Sequence, residues 1–191
     1  MRLGIFGGSF DPPHAGHLLA ADDAFAQLGL TRLVFVPAGA QPLKALGAGA
    51  APAHRLAMVH AMVEGDTRFA VSALEVERDG LSFTVDTLRD FEKQFPNAEL
   101  FFLMGADVLS TFPQWRAPAD VVRLAQPVVL TREQGADVPA MLEGVPVRCL
   151  VTRRVDVSST EIRDRVRRGA PVRGFVTDAV AAIIAREGLY R

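Results

Sequence analysis

The sequence predicts an α/β fold in which a parallel sheet is covered by helices on both faces. Three observations lead there. Short apolar runs alternate with helical patterns along the chain, the runs lack the polar alternation of a half-exposed strand, and the first ends in a glycine-rich turn that enters a helix. In such a sheet a ligand is expected beyond the carboxyl ends of the strands.

The strand candidates are Leu3 to Phe6, Leu33 to Val36, Phe69 to Leu74, Leu100 to Met104, Val128 to Leu130 and Val147 to Val151. Between the first two, Leu18, Ala21, Phe25 and Leu28 recur with helical spacing, so residues 16 to 28 read as an amphipathic helix. Leu56, Val59 and Val63 repeat the pattern after the second run, and Leu88, Phe91 and Phe95 after the third. Two further helices, Ser158 to Arg168 and Thr177 to Glu187, are separated by Gly169-Ala170-Pro171. Pro37 to Pro52 and Arg132 to Pro146 read as loops.

At 191 residues, 49% hydrophobic and 23% charged, the chain fits one compact domain with a sizeable core. A net charge of -1 excludes a bulk electrostatic grip on nucleic acid, so any phosphate binding must be local. No run reaches the roughly 18 apolar residues of a membrane span, and the amino terminus lacks a signal-peptide pattern. The single cysteine, Cys149, lies in an apolar run and is expected to fill core space; a reducing cytoplasm fits.

Chemistry concentrates at Gly7-Gly8-Ser9-Phe10-Asp11-Pro12-Pro13-His14-Ala15-Gly16-His17. Glycines let the backbone approach a ligand, and the free N–H groups and positive dipole end of the following helix attract an anion. Two of the chain's four histidines stand three apart here, with Gly16 removing bulk between them. Neither a G-x-G-x-x-G nor a P-loop pattern is present. Two blander readings stay open: a metal site with Asp11 as the adjacent oxygen ligand, and histidines that only cap the helix.

A second signal is Ser158-Ser159-Thr160-Glu161-Ile162-Arg163, where Ser158 and Glu161 form a capping-box pattern. Residues 151 to 173 hold seven arginines against three acids, so this hydroxyl-rich helix start with Arg163 reads as a second anion site. Two anion sites suggest a polyphosphate held between them. Lys44, one of two lysines, lies in the long loop, where it could close over phosphates or simply be solvated. Asp107 follows the fourth strand and is placed to accept hydrogen bonds from a ribose. Trp115, the only tryptophan, is available for stacking on a ring or for packing.

These segments resemble the H-x-G-H and S-[ST]-x-x-[IV]-R signatures of the nucleotidyltransferase superfamily. Within it, Ser82-Phe83-Thr84-Val85-Asp86-Thr87-Leu88, Met104-Gly105-Ala106-Asp107, Phe112-Pro113-Gln114-Trp115 and the ending Gly188-Leu189-Tyr190-Arg191 are similar to the bacterial nicotinate-nucleotide adenylyltransferases. The resemblance implies a Rossmann-like nucleotidyltransferase domain over residues 1–191, with the helices from about residue 158 packed on it. The implied reaction is direct in-line transfer of AMP from ATP to nicotinate mononucleotide, giving deamido-NAD and pyrophosphate, with Mg2+ carried by the ATP.

By the same resemblance, His14, His17, Lys44 and Arg163 serve catalysis. Gly7, Gly8, Ser9, Phe10, Gly16, Asp107, Ser158, Ser159 and Thr160 join His14, His17 and Arg163 around ATP. Ser9, Lys44, Thr84 and Trp115 take the mononucleotide. Small-molecule partners are implied, with no nucleic acid and no membrane, and a homodimer is allowed. The chain departs from the family at Leu43, where a histidine is common, and at Phe83, where a tyrosine is. A relative acting on phosphopantetheine, one preferring nicotinamide mononucleotide, and a non-catalytic nucleotide-binding regulator are the competing readings.

Overall fold

The computed structural model describes residues 1–40, 49–132 and 138–191. The first strand, β1 (Arg2–Gly8), leads through α1 (Ala15–Leu28) to β2 (Arg32–Pro37), and α2 (Pro52–Val63) leads on to β3 (Phe69–Val71). The chain then crosses through α3 (Thr84–Gln94) to β4 (Glu99–Gly105). A 3-10 helix (Ala106–Gln114) and α4 (Pro118–Leu124) precede β5 (Gln126–Thr131). A short hairpin of β6 (Met141–Leu142) and β7 (Val145–Pro146), then β8 (Arg148–Val151), α5 (Ser159–Arg167) and α6 (Asp178–Arg186), complete the chain.

Six strands form one sheet in the order β3-β2-β1-β4-β5-β8, and every neighbouring pair is parallel. The strand order reverses between β1 and β4, so the connections leaving these two strands diverge and open a crevice at their carboxyl ends. Side-chain alternation divides the core. Phe6, Phe35, Phe101 and Leu103 face a layer containing Ala24 of α1, Met58 of α2, Ile162 of α5 and Ile183 of α6. Leu3, Ile5, Val36 and Phe102 face Leu88 and Phe91 of α3, Phe112 of the 3-10 helix and Val121 of α4. Each fully buried Leu or Phe contributes roughly 1.5–3 kcal/mol, against about 1 kcal/mol net for an ordinary hydrogen bond. Apolar layering therefore sets the fold, and hydrogen bonds set the loops.

Glycine is required where α1 ends: Gly29 is left-handed (φ 59°) and its N–H returns to the Ala26 and Phe25 carbonyls. Gly4 has a different task, because a Cβ there would lie 2.6 Å from the Leu30 side chain.

Several expectations are corrected. Cys149 is exposed rather than buried, since β8 is the outer strand and only Leu150 of its four residues is even partly buried. β3 stops at Val71, three residues short of the expected Leu74. Residues 106–124 hold a 3-10 helix and a short α-helix where no element was expected, because Pro113 and Pro118 punctuate the segment; Pro118 opens α4 at a position where its missing N–H has no helical partner to lose. The second expected loop contains the β6–β7 hairpin. No helix among the described residues is long and apolar enough to cross a membrane.

Exposure of Cys149 has a direct consequence. The native protein is expected to react stoichiometrically with an aromatic disulfide reagent in the absence of denaturant; a thiol released only on unfolding would contradict the edge placement.

Candidate active site

The β1–α1 connection runs along the crevice. His14 is the N-cap residue of α1 in extended conformation, and its backbone N–H donates to Nδ1 of His17 at 3.2 Å. An Nδ1 that accepts leaves the proton of the neutral ring on Nε2, so His17 is set up as an Nε2–H donor. The two imidazoles are 3.8 Å apart between centroids, and the His17 ring rests edge-on against Phe10 at 5.0 Å. Gly16 leaves room beside them: a Cβ there would lie 3.1 Å from the His14 ring and press it aside by a few tenths of an ångström.

Both histidines are held neutral. Burial, reinforced by the Arg132 charge, lowers His14 to about 4. His17 is lowered well below its usual value by burial, by His14 and by Arg132. Nδ1 of His14 is buried with no hydrogen-bond partner among the described residues, a costly state for a polar atom unless a ligand completes it. The cation near this pair is Arg132, immediately after β5. Sequence reasoning missed it, having read that position as the start of a loop.

The Ser158 segment meets the same connection. Ser158 caps α5 by accepting the Glu161 N–H at 3.1 Å. Ser159 Oγ donates to the Pro12 carbonyl at 2.9 Å. Arg163 donates to the Asp11 carbonyl at 2.8 Å and to Thr160 Oγ1 at 3.1 Å. All three hydroxyls thus already bond within the protein itself. The backbone N–H groups of the first turn and the remaining Arg163 donors are what this helix start can offer an anion.

On the other side, a cavity of about 410 Å³ is lined by Gly7, Gly8, Ser9, Thr84, Asp107 and Trp115. Thr84 opens α3 and Asp107 lies in the first turn of the 3-10 helix. The half-buried Trp115 packs against Phe102 and Phe112, and its Nε1–H donates to Thr111 Oγ1 at 3.2 Å. Glu75 lines the same cavity, where burial raises its pKa although the Thr87 hydroxyl donates to it at 2.8 Å. It was not singled out from sequence, since Glu75 in Leu74-Glu75-Val76-Glu77-Arg78-Asp79 belongs to no motif. A shallower depression of about 510 Å³ along α2 and β3 holds none of the candidate residues.

The structure therefore gathers six of the candidates around one cavity and joins His14, His17, Gly16, Ser158 to Thr160 and Arg163 to the loop bounding it. Two candidates stand apart. Lys44 lies outside the described residues. The Phe10 ring is 2% exposed in the core, which leaves only its main chain for a ligand. Its φ of 49° is unfavourable for a bulky residue, and burial against Phe6 and Phe35 holds it there.

Residues 5–165 match the cytidylyltransferase-like family. A protein named probable nicotinate-nucleotide adenylyltransferase in Gemmatimonas aurantiaca is 50% identical, covering 100% of this chain and 93% of the relative. One of the same name in Thermus thermophilus is 42% identical over 100% of both chains. The chain belongs to the nicotinate-nucleotide adenylyltransferase family. The fold of this family member is shared with the Plasmodium falciparum nicotinic acid mononucleotide adenylyltransferase complexed with NaAD, at a TM-score of 0.78, 17% identity and coverage of 99% and 97%.

The neutral histidines make stability depend on pH in a defined direction. His14 binds its proton at about 4 when folded and near 6.5 when unfolded, so the unfolded state takes up the proton first as pH falls. Stability is retained above about 6.5 and declines toward 4, by on the order of 3 kcal/mol for His14. Urea unfolding at pH 7 and pH 5 should show this decline, and His14→Gln should flatten it; an unchanged slope in the variant would remove His14 as its source.

Proposed function

We propose that the chain transfers AMP from ATP to nicotinate mononucleotide, giving deamido-NAD and pyrophosphate in NAD biosynthesis, and that residues 1–191 act as one nucleotidyltransferase domain. The observation that supports this best is the direct hydrogen bonding of the Ser159 and Arg163 segment to the loop that enters α1, beside a cavity walled by Thr84 and Trp115. Two anion-binding helix starts at one end of a cavity and an aromatic wall at the other suit a polyphosphate facing a nucleotide with a flat ring.

In this reading a phosphate oxygen of nicotinate mononucleotide attacks the α-phosphorus of ATP. The bond from that phosphorus to the bridging oxygen breaks, and pyrophosphate leaves. The attacking phosphate is already anionic, so the chain needs no general base and forms no covalent intermediate. Gly7, Gly8 and Ser9 offer close backbone approach. His14 and His17 donate N–H bonds to the phosphates without contributing charge, while Arg163, the first turn of α5 and Lys44 hold the departing pyrophosphate and the reacting centre. Asp107 accepts from the adenosine ribose, and Thr84 and Trp115 receive the nicotinate, with the indole against the pyridine ring.

Mg2+ belongs with the nucleotide in this scheme: the Asp11 carboxylate is engaged by protein donors, and no cluster of three or more His, Cys, Asp or Glu stands together among the described residues. The ion supplies charge shielding when it arrives with ATP. Small-molecule substrates in a reducing cytoplasm are part of the same proposal, which allows a homodimer.

Pyrophosphate release with ATP, Mg2+ and nicotinate mononucleotide, run beside nicotinamide mononucleotide and phosphopantetheine, tests the reading. Release with the first acceptor is expected, and none with any of the three would reject it. His17→Ala should lower kcat by about 100-fold through loss of a preorganised donor; a loss under about threefold would remove His17 from the reaction. Trp115→Ala should raise KM for the mononucleotide while leaving ATP nearly unaffected, and equal weakening of both substrates would point to a folding defect.

A further inference from the structure

The carboxyl-terminal Gly-Leu-Tyr ending has no role in the reaction as assigned above, yet it reaches the loop before His14. Gly188 turns the chain at φ 61°, the Leu189 N–H returns to the Ile184 carbonyl at 3.0 Å, and Tyr190 follows with a left-handed φ of 65°. That conformation is unfavourable for a side chain of this size, and the buried ring holds it. The Tyr190 hydroxyl donates to Asp11 Oδ1 at 2.6 Å, and the same oxygen accepts the Ala50 N–H at 3.0 Å. Tyr190 is the only tyrosine in the chain.

The neighbouring acceptors of this loop are engaged in the same way. Arg55, buried on α2, donates to the Ser9 carbonyl at 2.7 Å, to Ala38 at 2.6 Å and to Ala50 at 3.2 Å. Arg163 and Ser159 take the Asp11 and Pro12 carbonyls. Donors from three distant parts of the chain therefore grip residues 9–12, which run directly into His14, His17 and the start of α1.

We propose that Tyr190 is a positioning residue for ATP: through the Asp11 carboxylate, its hydroxyl fixes the loop that presents the backbone donors and both histidines to the triphosphate. This rests on the assignment of that loop to ATP given under the proposed function. Tyr190 touches no reacting atom. Its influence passes through Asp11, with Arg55 holding the other end of the same loop.

Two features separate positioning from plain stabilisation. A destabilised protein has fewer active molecules, so apparent kcat falls while the KM values stay fixed. A loosened ATP loop weakens ATP most and the mononucleotide far less, because of the groups assigned to the mononucleotide only Ser9 is in this loop, while Thr84 opens α3 and Trp115 follows the 3-10 helix. Moreover, if Tyr190 acts through Asp11, removing its hydroxyl matters only while the carboxylate is present.

The test uses the full-length chain. Tyr190→Phe keeps the buried ring and removes only the hydroxyl. It is expected to raise the calorimetric Kd for Mg·ATP, measured without acceptor, about tenfold, the loss of one charge-assisted hydrogen bond. KM for ATP should rise in parallel, and KM for nicotinate mononucleotide should stay within about twofold. In an Asp11→Ala background the same change should have almost no further effect, while Arg191→Ala at the exposed terminus should leave ATP binding as in the parent.

An unchanged ATP Kd in Tyr190→Phe overturns the proposal, as does parallel weakening of both substrates. Should Asp11→Ala fail to fold, the Tyr190→Phe comparison alone decides. A parent protein that binds ATP but does not turn over nicotinate mononucleotide rejects the assigned reaction, and the ATP Kd values still judge the positioning role. A parent that binds no ATP overturns both.

Discussion

Everything at the site depends on the shape of a loop whose own residues cannot fix it. The segment from Ser9 to Pro12 lies between β1 and α1, in neither a strand nor a helix, so its backbone groups are not satisfied by a regular ladder. Its shape is imposed from outside by Arg55, Ser159, Arg163 and Tyr190, each donating to a carbonyl or carboxylate of the loop. The three that involve a guanidinium or the Asp11 carboxylate are charge-assisted and contribute roughly 1.5–3 kcal/mol each, about twice an ordinary hydrogen bond such as that of Ser159. Together, partly shielded from water, the four hold the strained Phe10 backbone and the entry angle of α1.

The electrostatics follow from that enclosure. The helix start and the arginines supply the positive potential, and the histidines add directed N–H groups without adding charge. A neutral imidazole donor is easier to bury than a cation, so His17 can sit behind the loop against Phe6 and Phe10, with His14 against His17. An approaching phosphate would favour the protonated form of each ring. Their low pKa values are therefore properties of the ligand-free pocket, produced by burial and by Arg132.

Much of the architecture could be read from the sequence because it rests on local signals. Unbroken apolar runs mark strands covered on both faces, and helical spacing of Leu18, Phe25 and Leu28 marks α1. The Ser158 cap, with Glu161 three residues on, places the start of α5 within one residue. What escaped was decided by tertiary position. The run containing Cys149 looks like any other strand, but its place at the sheet edge exposes it. Residues 106–124 carry prolines that read as loop yet fold over the sheet around Phe112 and Val121. At the site, the two motifs were legible because each is contiguous. Arg55, Asp11 and Tyr190 were not recognised as partners, since only the fold brings positions 11, 55 and 190 together, and no spacing rule connects them.

The two layers of the fold divide the chemistry between them. Helices α1 and α5, which present the anion-binding ends, share one face of the sheet; α3 and the 3-10 helix, which carry Thr84, Asp107 and Trp115, share the other. In the proposed reaction the triphosphate and the nucleotide monophosphate meet where the layers meet, over the carboxyl ends of β1 and β4. Gly7 and Gly8 stand at that end of β1, and a Cβ at Gly8 would lie 2.9 Å from the Phe10 ring. The switch point of the sheet thus does more than open a crevice. In the proposed reaction the phosphates are held from one helix layer, and the nicotinate ring and the adenosine ribose from the other, so that alignment of the attacking oxygen with the α-phosphorus becomes a property of how the layers pack rather than of any single side chain.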